Sequence, residues 1–288
     1  MRLVEWTAAD GVRLSAVVHG PDSSDDLPIV CLPGLTRNSR DFSVLAEALA
    51  SDRDRPRTVV AMDYRGRGLS AWADPASYRP DVEAGDVIAG LDHLGIGTAA
   101  VIGTSRGGII AMILAASAGD RLGPVVLNDI GPVVELSGLI AIRDRIKVML
   151  ADVIVTWDDA VADMKATMGR GFPAFTDAEW LDFAHQIYRS GADGRPVLDY
   201  DPALLDTFGG FDPEIGIPPF WPLFEALGAR PVLAIRGENS DLLSEATITG
   251  MTERLPHMEV HRVPGQAHAP LLKDAPTLLR IKDFLNRA

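Results

Sequence analysis

The stretch Ala99-Ala-Val-Ile-Gly-Thr-Ser-Arg-Gly-Gly-Ile-Ile-Ala-Met-Ile-Leu114 decides how the rest of the chain is read. Its first residues form a short apolar run of strand type, its last six the apolar start of a helix, and Gly103-Thr-Ser-Arg-Gly107 joins them as G-x-S-x-G. A serine at such a joint sits on a tight strand-to-helix turn, and small residues two before and two after relieve the crowding. The turn projects the hydroxyl from the sheet edge. It also sets the serine at a helix N-terminus, where free N–H groups and the positive dipole end favour a developing anion. Ser105 is therefore read as a nucleophile rather than as part of an ordinary glycine turn.

Outward from this joint, short β-branched runs alternate with amphipathic stretches, the pattern of βα units around a parallel sheet. Strands are expected at Arg13–His19, Pro28–Leu32, Thr58–Met62, Ala99–Gly103, Pro124–Asn128, Pro231–Arg236 and Met258–Val263. Helices are expected at Ser39–Ala50, Asp81–Leu94, near Ser244–Leu255 and at Pro276–Asn286, on 3.6-residue apolar spacing. From Pro132 to Leu227 the β-branched runs thin and helical patterns dominate, broken by prolines. One α/β domain, residues 1–131 with 228–288, interrupted by a helical insert at 132–227, accounts for this order. The insert region is rich in aromatics, namely Trp180, Phe183, Tyr188, Tyr200, Phe208, Phe211, Phe220, Trp221 and Phe224, which can form its own core or an apolar pocket wall.

A serine hydroxyl is a weak nucleophile near neutral pH and needs a base within hydrogen-bond reach. Of six histidines, His268 alone lies in a loop just past the final strand, in Pro264-Gly-Gln-Ala-His268-Ala-Pro, where it can swing over the sheet edge. The base in turn needs a carboxylate to fix its tautomer. Asp241 after Pro231–Gly237 is the first choice, Asp129 after Val125–Asn128 the alternative, and Glu238 a third. For the oxyanion, the backbone N–H groups of Leu35, in Pro33-Gly-Leu35-Thr36, and of Arg106 are the expected donors. Arg37 and Arg106 flank these loops, either as binders of a substrate carboxylate or as solvated charges.

The remaining composition narrows the function classes. The chain has 288 residues, 47% of them hydrophobic, so a large core is within reach. A net charge of −13 disfavours nucleic acid and anionic lipid as partners. Asp63-Tyr-Arg-Gly-Arg-Gly68 has neither the lysine of a phosphate-binding loop nor G-x-G-x-x-G spacing, and reads as a structural turn. The single Cys31 sits in an apolar strand and cannot form an internal disulfide. The N-terminus lacks signal-peptide character and no apolar run approaches the ~18 residues that span a bilayer, so a cytoplasmic protein with no membrane partner is expected. Neither cofactor nor metal is expected, since no His, Cys and carboxylate cluster has ligand spacing. The partner is a small-molecule substrate, and a homo-oligomer remains open.

Together, Leu32-Pro-Gly-Leu35, Asp63-Tyr-Arg-Gly-Arg-Gly-Leu-Ser70, Gly103–Gly107, Val126-Leu-Asn-Asp-Ile-Gly-Pro132, Arg236-Gly-Glu-Asn-Ser-Asp241 and Gly265-Gln-Ala-His268 resemble the α/β-hydrolase superfamily. They look most like its capped esterase, lactonase and C–C hydrolase branch. The resemblance implies a mostly parallel eight-stranded sheet flanked by helices, with a helical cap inserted after the sixth strand. Two departures stand out. Pro33-Gly34 replaces the usual His-Gly, and Ser240 occupies the place of the acid in Gly-x-x-Asp after the seventh strand, which keeps Asp129 in play because some relatives carry the acid after the sixth. The resemblance implies cleavage of an ester, thioester or lactone through an acyl-enzyme. A C–C hydrolase, a proline-type aminopeptidase and a non-enzymatic ligand receptor are the alternatives.

Overall fold

The computed structural model describes residues 1–212, 214–228 and 230–288. Its main sheet comprises β1 (Arg2–Thr7), β2 (Arg13–His19), β3 (Ile29–Leu32), β4 (Val59–Asp63), β5 (Ala99–Thr104), β6 (Leu122–Asn128), β9 (Val232–Gly237) and β10 (Glu259–Val263), in spatial order β1-β2-β4-β3-β5-β6-β9-β10. Only β2 pairs antiparallel to its neighbours β1 and β4; the other pairings are parallel. The helices of this body are α1 (Ser43–Ala50), α2 (Pro80–His93), α3 (Arg106–Ser117), α7 (Trp221–Glu225), α8 (Glu245–Arg254) and α9 (Ala275–Arg287).

Both faces of the central strands are covered, which is why they read as unbroken apolar runs. Along β3, Val30 and Leu32 join one core with α2 and α3, while Ile29 and Cys31 join the opposite core with α1 and α9. Val60 and Met62 of β4 part from Val59 and Ala61 in the same way. This period of two fixes the register, because a one-residue slip would exchange the two cores.

Between β6 and β9 lie α4 (Leu136–Ala151), α5 (Trp157–Met168), α6 (Asp177–Ile187) and a small antiparallel hairpin of β7 (Tyr188–Ser190) and β8 (Pro196–Leu198). Capping boxes start α5 at Thr156 and α6 at Thr176. Their inner faces, together with Phe172 between them, bury Met164, Met168, Trp180 and Phe183 in a separate apolar cluster. The end of the stretch behaves differently: Phe224 and Leu227 belong to the core beside α3, so α7 packs with the sheet body.

The Asp63–Ser70 turn holds this segment in place. Asp63 is buried at the end of β4 and its carboxylate accepts from the amides of Ser39 (2.6 Å) and Leu69 (2.9 Å). Gly68 has φ +56°, and a Cβ there would stand 2.5 Å from the Asp63 carboxyl. The turn so fixed donates from Gly68 N to Asp199 O (3.0 Å) and accepts at Gly66 O from Asp201 N (2.7 Å). It is a structural turn, as read, and a docking point as well.

Candidate active site

Ser105 stands between β5 and α3 with φ 52° and ψ −113°, a strained conformation for a residue with a side chain. The flanking glycines make that turn possible: a Cβ at Gly103 would lie 2.5 Å from the Gly107 backbone, and one at Gly107 only 2.1 Å from Leu32 O. Ser105 N donates to Asn128 O (2.9 Å), tying the turn to the neighbouring strand end. As the first residue of α3, Arg106 has a backbone N–H without an intrahelical acceptor. The loop after β3 approaches from the other side, close enough that a Cβ on Gly34 would be 3.9 Å from Ser105 Cβ.

His268 Nε2 is 2.9 Å from Ser105 Oγ, and His268 Nδ1 is 2.8 Å from Asp129 Oδ2. The other histidines lie elsewhere; His185, for example, stacks on Trp157. Asp129 is fully buried at the end of β6 with φ 55°. Its Oδ1 accepts from Gly237 N (2.8 Å) and its Oδ2 from Ser240 Oγ (2.6 Å). The first-choice carboxylate, Asp241, is not brought to His268: it is exposed, and its backbone carbonyl packs against Gly138. The physical reason lies at position 240. The loop after β9 turns the short Ser240 hydroxyl inward, onto Asp129, and the next residue outward. Glu238 is also occupied elsewhere, accepting from Gly265 N (2.8 Å).

Two residues of this neighbourhood are not among those that the sequence marks as site residues. Ser240 supports the Asp129 carboxylate, and its position in place of the resembled family's acid was the available signal. Asn128 donates to Thr104 Oγ1 (3.1 Å) and to Pro270 O (2.9 Å), pinning the His268 loop to the strand ends. No sequence signal marked it.

Behind the loops lies a buried ionic group. Glu83 of α2 accepts from Arg67 Nη1 (2.8 Å) and from Arg106 Nε (2.6 Å). Arg67 also donates to Leu35 O (2.7 Å), and Arg106 to Tyr78 O (2.7 Å). One carboxylate thus connects the two loops that carry Leu35 and Arg106. Arg37 is likewise committed, bidentate to Asp41 (2.8 and 2.6 Å) and stacked over Phe183. Neither Arg37 nor Arg106 is a solvated charge or a free anion binder.

Ser105 and His268 open into a cavity of about 480 Å³ between the strand ends and the α4–α6 segment. Its wall is mainly aliphatic and aromatic. Of the aromatics picked out in sequence, Phe183, Phe208, Phe211 and Phe220 line it, whereas Trp180, Tyr188, Tyr200 and Phe224 are buried in packing. Among the described residues no group of three His, Cys, Asp or Glu side chains is arranged to hold a metal ion, and no helix is long and apolar enough to cross a membrane.

A family model for the alpha/beta hydrolase family matches residues 29–279. The chain belongs to that family. This hydrolase is 31% identical over 294 residues to the 3-hydroxybutyrate-oligomer hydrolase of Cupriavidus necator, covering 99% of this chain and 97% of the relative. It is 28% identical over 268 residues to esterase YbfF of Escherichia coli, covering 90% and 93%. A crystal structure of an alpha/beta hydrolase from Novosphingobium aromaticivorans matches the hydrolase with a TM-score of 0.89 at 37% identity, over 100% of this chain and 98% of that one. The eight-stranded sheet expected from the resemblance is thereby the sheet of the family, and the chain is an enzyme of the hydrolase class.

Proposed function

We propose that the protein is a carboxylic ester hydrolase working through an acyl-enzyme, with Ser105 as nucleophile, His268 as base and Asp129 as the acid of a triad. The observation that carries this reading is the unbroken line of contacts Asp129 Oδ2–His268–Ser105 Oγ at 2.8 and 2.9 Å. Ester chemistry in particular is supported by the relatives, one named for cleaving hydroxybutyrate oligomers and another named an esterase.

In the first step the Ser105 oxygen bonds to the ester carbonyl carbon while its proton passes to His268 Nε2. The carbonyl electrons move onto oxygen, and the amides of Leu35 and Arg106 are the donors assigned to that oxyanion. Collapse of the tetrahedral intermediate breaks the bond to the alcohol, which leaves with the proton from His268. Water then attacks the acyl-enzyme, giving its proton to His268, and the second collapse releases the acid and returns the proton to Ser105. Asp129 keeps the proton of neutral His268 on Nδ1 and stabilises the imidazolium. Its own two oxygens are held by Gly237 N and Ser240 Oγ, so it cannot turn away.

The α4–α6 segment, within residues 132–227, acts in this reading as a cap that supplies the apolar wall for the substrate's carbon chain. Burying that chain removes water from the reacting carbonyl and strengthens the assigned hydrogen bonds.

The test is pre-steady-state hydrolysis of p-nitrophenyl butyrate with mass analysis of the quenched protein. A burst stoichiometric with enzyme and a butyryl adduct on Ser105 are expected, both lost in Ser105→Ala. Absence of acylation in the native protein, or an adduct that survives Ser105→Ala, would sink the reading.

A further inference from the structure

We propose that Arg145 makes the cavity a site for esters that carry a free carboxylate, so that the preferred substrates are hemiesters or hydroxy-acid esters ending in –COO⁻. This rests on the ester-hydrolase reading above and specifies its substrate class.

The case begins on α4. Leu139, Ile142, Arg145, Ile146 and Met149 recur at three- and four-residue steps and line the cavity, so they share one face of the helix. The helix's other charged side chains have partners: Arg143 contacts Asp144 (2.8 Å) and stacks over Phe211, and Lys147 lies 3.9 Å from Asp144. Arg145 is the charged member of the face that is otherwise apolar.

The remaining charges of the cavity wall are compensated. Arg37 is closed by Asp41, Arg106 by Glu83, and His268 by Asp129. Among the described residues no carboxylate contacts Arg145; burial opposes its charge most, Arg37 opposes it as well, and Asp241 and Tyr200 favour it only through space. A guanidinium stays protonated in proteins, so its positive charge persists within this apolar wall. Such a charge is costly to desolvate without an anionic partner. An anionic ligand meets that need, and the fork of a guanidinium matches a carboxylate bidentately. Ser105 and Arg145 line the same cavity, so one molecule can place an ester carbonyl at the first and a carboxylate at the second.

The experiment compares esters with the same glutaryl chain and leaving group: mono-p-nitrophenyl glutarate, with its free carboxylate, and its methyl ester, which is neutral. For the native protein, kcat/KM is expected to be at least about 10-fold higher for the anionic ester. Arg145→Met should cost about 10–100-fold on the anionic ester and less than about 3-fold on the neutral one. Arg145→Lys should restore part of the difference, because the charge returns without the fork. Equal losses on both esters, or a native enzyme without preference, would overturn the proposal. If neither ester acylates Ser105, the ester reading fails separately. Calorimetric binding of glutarate then decides: loss of binding in Arg145→Met supports the carboxylate site, and its absence in the native protein removes it.

Discussion

Asp129 and Asp241 each follow a sheet strand, but only Asp129 is buried and reaches His268, and that difference carries the prediction at the scale of single residues. An amide at 129 can donate to His268 Nδ1 and so favour the wrong tautomer. Asp129→Asn should therefore lower kcat on p-nitrophenyl butyrate about 10³–10⁴-fold, whereas Asp241→Asn should stay within about 3-fold as an exposed substitution. The opposite ranking would remove Asp129 from the acid's role. Ser240→Ala, which deletes the 2.6 Å bond to Asp129, should cost about 10-fold, with circular dichroism unchanged. Ser105 and His268 were legible because each occupies a distinctive place in the chain, one between strand and helix, the other alone in the last loop. Which of two strand-end carboxylates turns inward was not, since that depends on the loop after β9 and on how Ser240 packs across 111 residues of separation.

Among the elements, α2 and α9 offer a contrast between holding a site and holding a fold. Glu83, 0% exposed on α2, joins the Arg67 turn to the start of α3, and through Arg67 it reaches Leu35 O. Glu83→Gln leaves two guanidiniums under-compensated, and breaking such a buried group costs about 3–5 kcal/mol. Beyond stability, kcat on the butyrate ester should fall about 10–100-fold with KM within about 3-fold, because misaligned donors weaken binding of the oxyanion rather than of the ester. Phe284→Ala on α9 is the control: it empties the core beside α1 at a similar cost of about 3–5 kcal/mol, yet kcat per folded molecule should be unchanged well below Tm. A matching loss of kcat in both variants would make Glu83 merely structural. The same contrast explains what the sequence revealed. Strands buried on both faces were placed to within a residue or two, but β1 turns only Val4 and Trp6 inward and leaves the apolar Leu3 exposed, so its period is weak in sequence. The three-residue strands β7 and β8 are too short for any period to register.

At the scale of the whole molecule, stability should decline on mild acidification, and two histidines away from the cavity set the direction. His19 ends β2 and is nearly buried; burial holds its pKa below the ordinary value of 6.5, and among the described residues its Nδ1 has no partner. His261 on β10 is also held low by burial, with Nε2 3.1 Å from Thr277 Oγ1. In both cases the unfolded chain binds the proton more readily than the folded one, so stability rises with pH across the interval between the lowered folded value and 6.5. The stabilisation is fully present above 6.5 and is lost as pH falls through the folded values. The carboxyls of Asp63, Asp86 and Asp163 are raised by burial and act in the opposite sense, so removing the two histidines isolates the histidines' share of the slope. The urea midpoint is therefore expected to drop between pH 7.5 and 5, and the His19→Gln, His261→Gln double variant to flatten that slope whatever its absolute stability. A native midpoint that stays level over this range, or a double variant with the native slope, would place the pH sensitivity elsewhere in the fold.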